Sequence, residues 1–287
     1  MGVKTSTLVL VRHGQSEWNA TNQFTGWYDC DLTKKGVTEA LAGAKLLKEA
    51  KVLPEVLHTS LQKRAIKTAD LIIDELQCTE IPVNRSWRLN ERHYGNLTGK
   101  DKAAVGEEFG ADQLHAWRRG YDTPPPPISP DNPFNPNNDP QYEGIEEIPL
   151  TECLADVVER LLPYWEKEIL PQVLERKTVL VVAHGNSLRA LCKHLDGISE
   201  KDIADLNIPT GTPLVYELND EGFPLQAMPV LDRSLNREAA RAAAEAVPTE
   251  CPVCLERERD TAQARVRDRS EERRVGKECR SRWSPYH

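Results

Sequence analysis

TLVLVRHG, residues 7–14, is the stretch that decides the fold. Its first five residues form an apolar, β-branched run that is too short for a helix and predicts a buried strand. The run leads directly into Arg12, His13 and Gly14, where open α/β sheets place their ligands, outside the carboxyl ends of the strands. Because Gly14 lacks a Cβ, the backbone can turn sharply there and a bulky anion can approach. An imidazole nucleophile beside a permanent cation suits attack on a phosphoryl group.

A second apolar run, TVLVVA at residues 178–183, ends in the same way, in His184 and Gly185. Parallel strands bring their carboxyl ends to one edge of a sheet, so we expect His13 and His184 to converge there. One strand-end histidine is more often a structural residue, whereas two with the same surroundings are a specific signal. Arg64, considered alone, would be a surface charge, but it follows a further predicted strand and should supply a second cation at the same edge.

The rest of the pattern alternates strands with helices. Further strands are predicted at residues 55–60, 81–83 and 214–218, and helices after the caps Thr33 and Ser60, before Gly120 and over residues 151–175, with a bend at Pro163. The strands are continuously apolar, which predicts burial on both faces. The predicted fold class is therefore α/β with three layers, a mostly parallel central sheet with helices on both faces. Residues 122–149, rich in Pro, Asn and Asp, are predicted to be a Pro-rich loop inserted over the carboxyl edge of the sheet, either a functional lid or a disordered linker.

Composition restricts the class of protein. The chain has 287 residues, 39% of them hydrophobic and 29% charged, with a net charge of −8, as expected for an ordinary globular protein with no general attraction to nucleic acid. A polyanionic substrate would need a local basic pocket. Seven scattered cysteines and no evident export signal predict reduced thiols in a cytoplasmic protein. The longest apolar runs are far shorter than the roughly 20 residues of a membrane span.

The region after Val247 changes character. Residues 248–287 lack apolar periodicity and are rich in Arg and Glu, and residues 269–287 resemble the translation of a sequencing adapter. Cys251 and Cys254 form a CxxC pair; a zinc site and a chance pairing both remain open, but one pair of soft ligands does not close a zinc site. We therefore predict one catalytic domain over residues 1–247 and a non-native or disordered tail over residues 248–287.

Two further groups could serve phosphoryl chemistry. Glu91 stands in LNERHYG, residues 89–95, where a proton donor and acceptor could be held; the alternative is a solvated loop carboxylate. Arg118 and Arg119 would ordinarily be a charged helix end, but near a pocket they would form a bidentate anchor for phosphate or carboxylate.

Several stretches together resemble one family, the cofactor-dependent phosphoglycerate mutases of the histidine phosphatase superfamily, which depend on 2,3-bisphosphoglycerate. The matching stretches are RHGQSEWN, FTGWYD, TSLQKRAIKTA, LNERHYG, WRRG, AHGNSLRALCKHL and LNIPTGTPLVYEL. The resemblance covers about residues 7–247 and includes loops specific to that family. It implies a phosphoglycerate mutase-like fold and the interconversion of 2- and 3-phosphoglycerate in glycolysis and gluconeogenesis. A phosphohistidine primed by 2,3-bisphosphoglycerate would be the intermediate, and no metal would be required.

The resemblance also implies a role for each matched residue. His13 would be the nucleophile, largely neutral at an unperturbed pKa of about 6.5, and Glu91 the general acid and base. His184, Arg12 and Arg64 would stabilise the transferring group. The residues implied to bind substrate are Ser16, Asn19, Thr25, Gly26, Arg92, His93, Tyr94, Lys102, Arg118, Arg119, Gly185 and Asn186. The implied partners are small phosphorylated three-carbon acids, without nucleic acid or membrane; homodimer and homotetramer both stay open.

Two alternative functions compete with the mutase. One is a phosphatase of the same superfamily that hydrolyses a small phosphorylated metabolite, with water in place of the second hydroxyl; LNERHYG and WRRG favour the mutase. The other is a non-enzymatic binding module built on the tail, for nucleic acid or zinc. The binding module predicts that deletion of residues 248–287 abolishes function while His13→Ala does not.

Overall fold

A computed structural model describes residues 6–145 and 147–246. They contain a five-stranded sheet in the order β3-β2-β4-β1-β5. The strands are β1 (Ser6–Arg12), β2 (Val56–Thr59), β3 (Val83–Arg85), β4 (Thr178–Ala183) and β5 (Pro213–Leu218). Strands β1 to β4 pair in parallel, and β5 runs antiparallel to β1 at one edge. The mostly parallel sheet predicted from the sequence is confirmed.

Helices cover both faces of this sheet. They are α1 (Glu17–Ala20), α2 (Lys34–Glu49), α3 (Lys63–Glu75), α4 (Lys102–Phe109), α5 (Ala111–Arg119), α6 (Leu154–Tyr164), α7 (Leu170–Leu174), α8 (Gly185–Asp196) and α9 (Arg237–Glu245). Short 3₁₀ turns occupy Trp87–Leu89, Gly95–Leu97, Pro136–Asn138, Pro140–Tyr142, Asp202–Ala204 and Val230–Arg233. No helix within the described ranges is long and apolar enough to cross a membrane.

The central strand β1 contributes to two separate cores. Leu8 and Leu10 belong to a cluster with the apolar residues of α6 and α8. Val9 and Val11 belong to a second cluster with α2 and α3 on the opposite face. Because side chains alternate along a strand, both faces of β1 are buried, which explains its uninterrupted apolar sequence.

Two local predictions were wrong in detail. Helix α2 begins after its Thr33 cap as predicted, but α3 begins at Lys63 with Gln62 as N-cap, not Ser60. The hydroxyl of Ser60 accepts a hydrogen bond from the Gln62 amide and contacts His184, so it is used at the sheet edge rather than at the helix. The third strand also lies later than predicted, at Val83–Arg85.

The predicted helix over residues 151–175 is divided. Helix α6 ends at Tyr164, a π-helical turn follows at Trp165–Ile169, and α7 continues the chain. Pro163 lies in the last turn of α6. Proline cannot donate the hydrogen bond that an α-helix requires of it, so the regular helix ends here and a wider turn begins.

The excursion between β3 and β4 packs over the carboxyl edge of the sheet. Helices α4 and α5 meet at Gly110 and cover a small core of their own, formed by Phe24, Leu97, Val105, Leu114 and Trp117. In the Pro-rich insertion, Tyr142 is buried and its hydroxyl donates to the Trp27 carbonyl at 2.7 Å. The insertion is therefore a packed loop, and the disordered-linker alternative is wrong for its described residues.

The cysteines divide between the described region and the tail. Cys30, Cys78, Cys153 and Cys192 are free in the described part of the chain, and the reduced state of all seven cysteines stays a prediction. The predicted tail at residues 248–287, with the Cys251–Cys254 pair and the adapter-like stretch at 269–287, lies outside the described residues.

Candidate active site

The sheet register brings the two strand-end histidines together. Arg12 of β1 lies opposite Ala183 of β4, so the next residue of each strand is a histidine. The amide of His13 donates to the Ala183 carbonyl at 2.9 Å, extending the ladder to the site. The ring centroids of His13 and His184 are 4.9 Å apart, with the planes inclined at 62°. The convergence expected from the sequence is observed.

His13 is held in one orientation as an uncharged ring. Its Nδ1 lies 2.7 Å from the Gly14 carbonyl, which can only accept, so Nδ1 carries the proton and Nε2 keeps its lone pair. Burial lowers the pKa of His13 well below 6.5, and the charges of Arg64 and Arg12 lower it further. The neutral ring with a free lone pair is the form that a nucleophile requires.

Close backbone packing supports this turn. A Cβ on Gly14 would lie 2.1 Å from the Gly36 carbonyl oxygen, and one on Gly36 would lie 2.2 Å from the Gln15 carbonyl oxygen. Gly36 is in the first turn of α2, so the two glycines let that helix start directly against the turn that follows His13. The Gly14 amide also donates to the hydroxyl of Thr68 on α3 at 3.1 Å.

His184 is held by a hydrogen bond to Ser60, the residue that follows β2. Its Nε2 lies 2.8 Å from the Ser60 hydroxyl oxygen, and its own amide donates to the Ser187 hydroxyl at 3.0 Å. Burial lowers the pKa of His184 well below 6.5, with Arg64 and His13 as the next causes. Both facing imidazoles are therefore uncharged.

The two carboxylate oxygens of Glu91 differ in their hydrogen bonds. Oε1 accepts from the Arg92 amide at 2.7 Å and from the amide and the side-chain Nδ2 of Asn186 at 3.2 and 2.9 Å. Oε2 lies on the side of Gly185, 3.7 Å from where a Cβ of that residue would be. The backbone of Glu91 is itself held, because its amide donates to Gln62 Oε1 at 2.8 Å. Oε2 is thus the oxygen left for a reacting group.

A cavity of about 600 Å³ opens over these groups. Seven cationic side chains line it, together with Glu39 and Glu91: Arg12, Lys35, Arg64, Lys102, Arg118, Arg119 and Arg189. Burial lowers the pKa of Lys102 to about 7, and Arg118 and Arg12 contribute to the shift. Cations crowded together in this way favour an anion of more than one charge.

The hydrogen bonding of Arg12 and Arg64 also indicates an anion site in the cavity. The Nη1 of Arg12 donates to the Ile208 carbonyl, and both terminal nitrogens of Arg64 donate to carbonyls of the loop that contains Gly26 and Tyr28. The Nε atoms of Arg12 and Arg64 are buried without a hydrogen-bond partner among the described residues. Buried donors are almost always paired in proteins, so an anion in the cavity would complete the bonding of these guanidinium groups.

Most of the substrate-binding residues predicted from the sequence line this cavity: Asn19, Thr25, Tyr94, Lys102, Arg118, Arg119, Gly185 and Asn186. The others, Ser16, Gly26, Arg92 and His93, are buried and do not belong to the lining formed by the described residues. His184 is likewise buried and outside the lining, and its ring contacts that of His13 edge-on.

These four buried residues support the site from behind. Ser16 caps α1 by accepting from the Asn19 amide, and the Gly26 carbonyl accepts from Gln62 and Arg64. Arg92 donates to the Arg118 carbonyl at 3.0 Å. The Nδ1 of His93 accepts from the Gly95 amide at 2.9 Å. The structure shows these four residues holding their neighbours outside the cavity lining, and their predicted contacts with substrate stay a prediction.

Sequence reasoning missed other residues of the site. Arg189 lines the cavity and donates to the Asn186 side chain, and Gln62 joins Gly26 to Glu91. Helical spacing was a usable signal for Arg189, which follows Asn186 by three residues and so shares its helix face. Nothing in the local sequence marks Gln62, since its partners come from distant loops.

The C-terminal end of α9 contributes to the cavity lining. Ala243 of the helix and its C-cap Ala246 line the cavity, and Asn207 donates from Nδ2 to the Ala244 carbonyl at 2.9 Å. Asn207 also lines the cavity, so the same residue belongs to the wall and holds the helix.

Comparisons with known proteins agree with this geometry. A family model for the histidine phosphatase superfamily (branch 1) matches residues 8–230. A 2,3-bisphosphoglycerate-dependent phosphoglycerate mutase of Nocardioides sp. is 57% identical over 244 residues, 85% of this chain and 98% of the relative. A protein of the same name from Thermobifida fusca is 58% identical over 244 residues, 84% of this chain and 98% of the relative.

Solved structures share the fold at lower identity. One described as mycobacterial hydrolase 1 has a TM-score of 0.59 and 23% identity, covering 74% of this chain and 89% of its own. A mycobacterial glucosyl-3-phosphoglycerate phosphatase in complex with VO3 has a TM-score of 0.58 and 23% identity, covering 74% of this chain and 91% of its own. At this level of identity the likeness shows a common fold alone.

Proposed function

The chain belongs to the histidine phosphatase superfamily, among its 2,3-bisphosphoglycerate-dependent phosphoglycerate mutases, and on this premise we propose that it interconverts 2- and 3-phosphoglycerate through a phosphohistidine at His13. One observation carries the proposal: an uncharged His13 contacts His184 and lines a cation-lined cavity together with Glu91. The reaction belongs to glycolysis and gluconeogenesis.

His13 acts as the nucleophile in this proposal. Its Nε2 forms a bond to phosphorus while the bond from phosphorus to the glycerate oxygen breaks, and the reverse transfer returns the phosphoryl group to the other hydroxyl. Arg12 and Arg64 neutralise the oxygens of the transferring group as charge moves in the transition state. His184, fixed by Ser60, and Asn19 stand beside them as donors.

Glu91 moves the proton. Oε2 protonates the leaving glycerate oxygen and later takes the proton from the attacking hydroxyl, as general acid and then general base. Oε1 is already saturated by three hydrogen bonds, so the carboxylate does not need to reorient between the two half-reactions. This arrangement suits a reaction that runs through the same site in both directions.

The remaining charge of the substrate needs its own anchors. We assign the carboxylate and second phosphate to Lys102, Arg118 and Arg119, with Tyr94 as a hydroxyl donor. Thr25 and the backbone amides at Gly185 and Asn186 complete the donor set. In this proposal the guanidinium and ammonium groups carry all charge neutralisation, and no metal takes part.

The residues present fit the primer, 2,3-bisphosphoglycerate. The unpartnered Nε atoms of Arg12 and Arg64 and the seven cations of the lining match a ligand with two phosphates and a carboxylate. When bound, it supplies the phosphoryl group that loads His13. Arg12 and Arg64 would hold that phosphate beside His13, and Arg118 and Arg119 would hold the distal anionic groups.

Hydrolysis by the same phosphoenzyme is the alternative. It is less supported, because the relatives at 57–58% identity are named as mutases, whereas the phosphatase among the solved structures shares only the fold. Incubation with 3-phosphoglycerate and a trace of 2,3-bisphosphoglycerate separates the two. We expect 2-phosphoglycerate to form much faster than free phosphate; rapid phosphate release with little isomer would overturn the mutase.

We further propose that the protein acts in the cytoplasm on small phosphorylated three-carbon acids, with no nucleic-acid or membrane partner. The free cysteines of the described region and the absence there of a membrane-spanning helix support this location. Light scattering after gel filtration would distinguish a homodimer from a homotetramer.

A further inference from the structure

Arg189 is a buried cation that has no role in the mechanism proposed above. It lies on α8, three residues after Asn186, and is only 3% exposed. One terminal nitrogen donates to Asn186 Oδ1 at 2.8 Å, and the other to the Ile203 carbonyl at 2.6 Å. The planar guanidinium is thus held at both ends.

This contact decides which way the Asn186 amide faces. Its Oδ1 is occupied by Arg189, so Nδ2 is the donor to Glu91 Oε1 at 2.9 Å and to the Tyr94 hydroxyl at 3.0 Å. In the reversed amide, an N–H would face the donors of Arg189, and a carbonyl oxygen would face the carboxylate. Both contacts would be repulsive, which makes the reversed amide unfavourable.

We propose that Arg189 is a positioning residue that, by fixing the Asn186 amide, keeps Oε1 of Glu91 as a hydrogen-bond acceptor and reserves Oε2 for proton transfer. The inference rests on the proposed mutase chemistry. A carboxyl group is close to two-fold symmetric about its last torsion, so its oxygens are distinguished only by their partners. Arg189 acts through Asn186 and does not itself reach the proton.

The buried position of Arg189 is energetically unfavourable for a cation. Burial lowers the pKa of Arg189 to about 9, and Arg119 and Arg92 add to the shift. Its terminal nitrogens donate to the uncharged acceptors Asn186 Oδ1 and the Ile203 carbonyl, and its Nε is buried without a hydrogen-bond partner among the described residues. Burying such a group costs stability, which is more readily explained by a role in the site than by helix packing.

A double-mutant cycle tests the proposal in the full-length protein. We expect Arg189→Lys to lower kcat for 3-phosphoglycerate by about tenfold or more while KM changes by less than about threefold, because lysine keeps the charge but cannot hold both carbonyl groups. Asn186→Ala should lower kcat as well. If Arg189 acts through that amide, adding Arg189→Lys to Asn186→Ala should cost at most about a further twofold.

A buried arginine outside the cavity provides the matched control. Arg233 donates to Asp196 and to the Gln226 carbonyl. Arg233→Lys should lower the thermal midpoint, and its effect on kcat, if any, should multiply with that of Asn186→Ala. This separates coupling through the amide from general loss of stability.

Each other outcome overturns the inference. Multiplicative effects of Arg189→Lys and Asn186→Ala would show that Arg189 acts independently of the amide. A change confined to KM would make it a simple anion anchor. If Arg189→Lys does not fold, Arg189→Met removes the buried charge and takes its place in the cycle; failure of both to fold would assign a structural role. A wild-type protein that forms the phosphoenzyme but no isomer would instead refute the proposed function.

Discussion

His13 is the residue in which the effect of the fold on chemistry is greatest. A histidine in solution is partly protonated near pH 6.5, but burial and two neighbouring guanidinium groups keep this one neutral. The bond from Nδ1 to the Gly14 carbonyl then leaves the lone pair on Nε2. Desolvation, charge and a single hydrogen bond therefore give His13 the form that the proposed nucleophile needs.

Removal of the His13 ring should abolish phosphoenzyme formation. In His13→Ala treated with labelled 2,3-bisphosphoglycerate, we expect no acid-labile protein phosphate, because no other group in the site combines a lone pair with this position. His115→Ala, an exposed histidine of α5, is the matched control and should label as the wild type does. Persistent acid-labile label in His13→Ala would move the nucleophile to another residue.

Loss of the Glu91 proton should affect turnover more than binding. Glu91→Gln keeps an acceptor for the three donors at Oε1 but cannot exchange a proton, so we expect kcat to fall by about 10²–10⁴-fold with little change in KM. Steady-state kinetics with both phosphoglycerates measures this. Glu39→Gln, a second carboxylate of the lining, should have a much smaller effect. A pure KM effect in Glu91→Gln would contradict the assigned role.

At the scale of the element, the site depends on where strands end and helices begin. Strands β1 and β4 deliver the histidines, the exit of β2 delivers Ser60, and the start of α2 packs against the turn after His13. Each of these elements contributes to the site through one of its ends. Their ends meet because neighbouring strands are parallel, so that all carboxyl ends share one edge.

The close packing of α2 against the turn that follows His13 should be disturbed by a single added methyl group. In Gly36→Ala, the added Cβ would lie 2.2 Å from the Gln15 carbonyl oxygen, so the helix or the turn must move. We expect a loss of about 1–3 kcal/mol in the free energy of unfolding, together with slower phosphoenzyme formation. Urea denaturation and labelling kinetics measure the two effects.

The control for this change lies on the same helix. Lys45 is exposed on α2, and Lys45→Ala should alter the free energy of unfolding by no more than about 0.5 kcal/mol. If Gly36→Ala were as stable and as active as Lys45→Ala, the packing of α2 on the turn would not support the nucleophile.

At the scale of the whole molecule, buried neutral histidines couple stability to pH. Burial lowers the pKa of His93 to about 4 from 6.5, and it also lowers the pKa values of His13, His58 and His184. The unfolded chain takes up these protons below about pH 6.5, whereas the folded protein does not. Stability is therefore complete above about pH 6.5 and is lost as the pH falls towards the lowered values.

We expect the free energy of unfolding to fall at acidic pH, with a contribution from each of these histidines. His93 alone should contribute about 2 kcal/mol of lost stability between pH 7 and pH 5. Urea denaturation at the two pH values measures the difference, and His93→Gln, whose amide can still accept from the Gly95 amide, should reduce it by about that amount. An unchanged pH dependence in His93→Gln would mean that His93 is protonated in the folded state.

The charge distribution makes a second prediction at this scale. The chain carries a net charge of −8, yet its cavity is lined by seven cations. A polyanion should stabilise the fold by relieving their repulsion, so we expect 2,3-bisphosphoglycerate to raise the thermal midpoint and added salt to reduce that gain. Neutral glycerol at the same concentration is the control. An equal shift with glycerol would exclude an anion site.

The sequence alone determined that the sheet is mostly parallel and which two strand ends carry the histidines. Short, β-branched apolar runs indicate buried strands, and parallel strands place their carboxyl ends together, so the convergence of His13 and His184 followed from the pattern. The resemblance supplied the family, which the relatives confirm. These conclusions rest on properties that can be read along the chain: the hydrophobic pattern, the direction of the strands and the sequence motifs.

Only the tertiary structure decided which residues face the cavity and in what state. Ser16, Gly26, Arg92 and His93 stand within matched motifs yet support the site from behind, whereas Arg189 lines it. Such assignments depend on partners far apart in the chain and on exclusion of water. The pKa of an imidazole and the working oxygen of a carboxylate are set by desolvation and by hydrogen bonds that exist only once distant loops are packed.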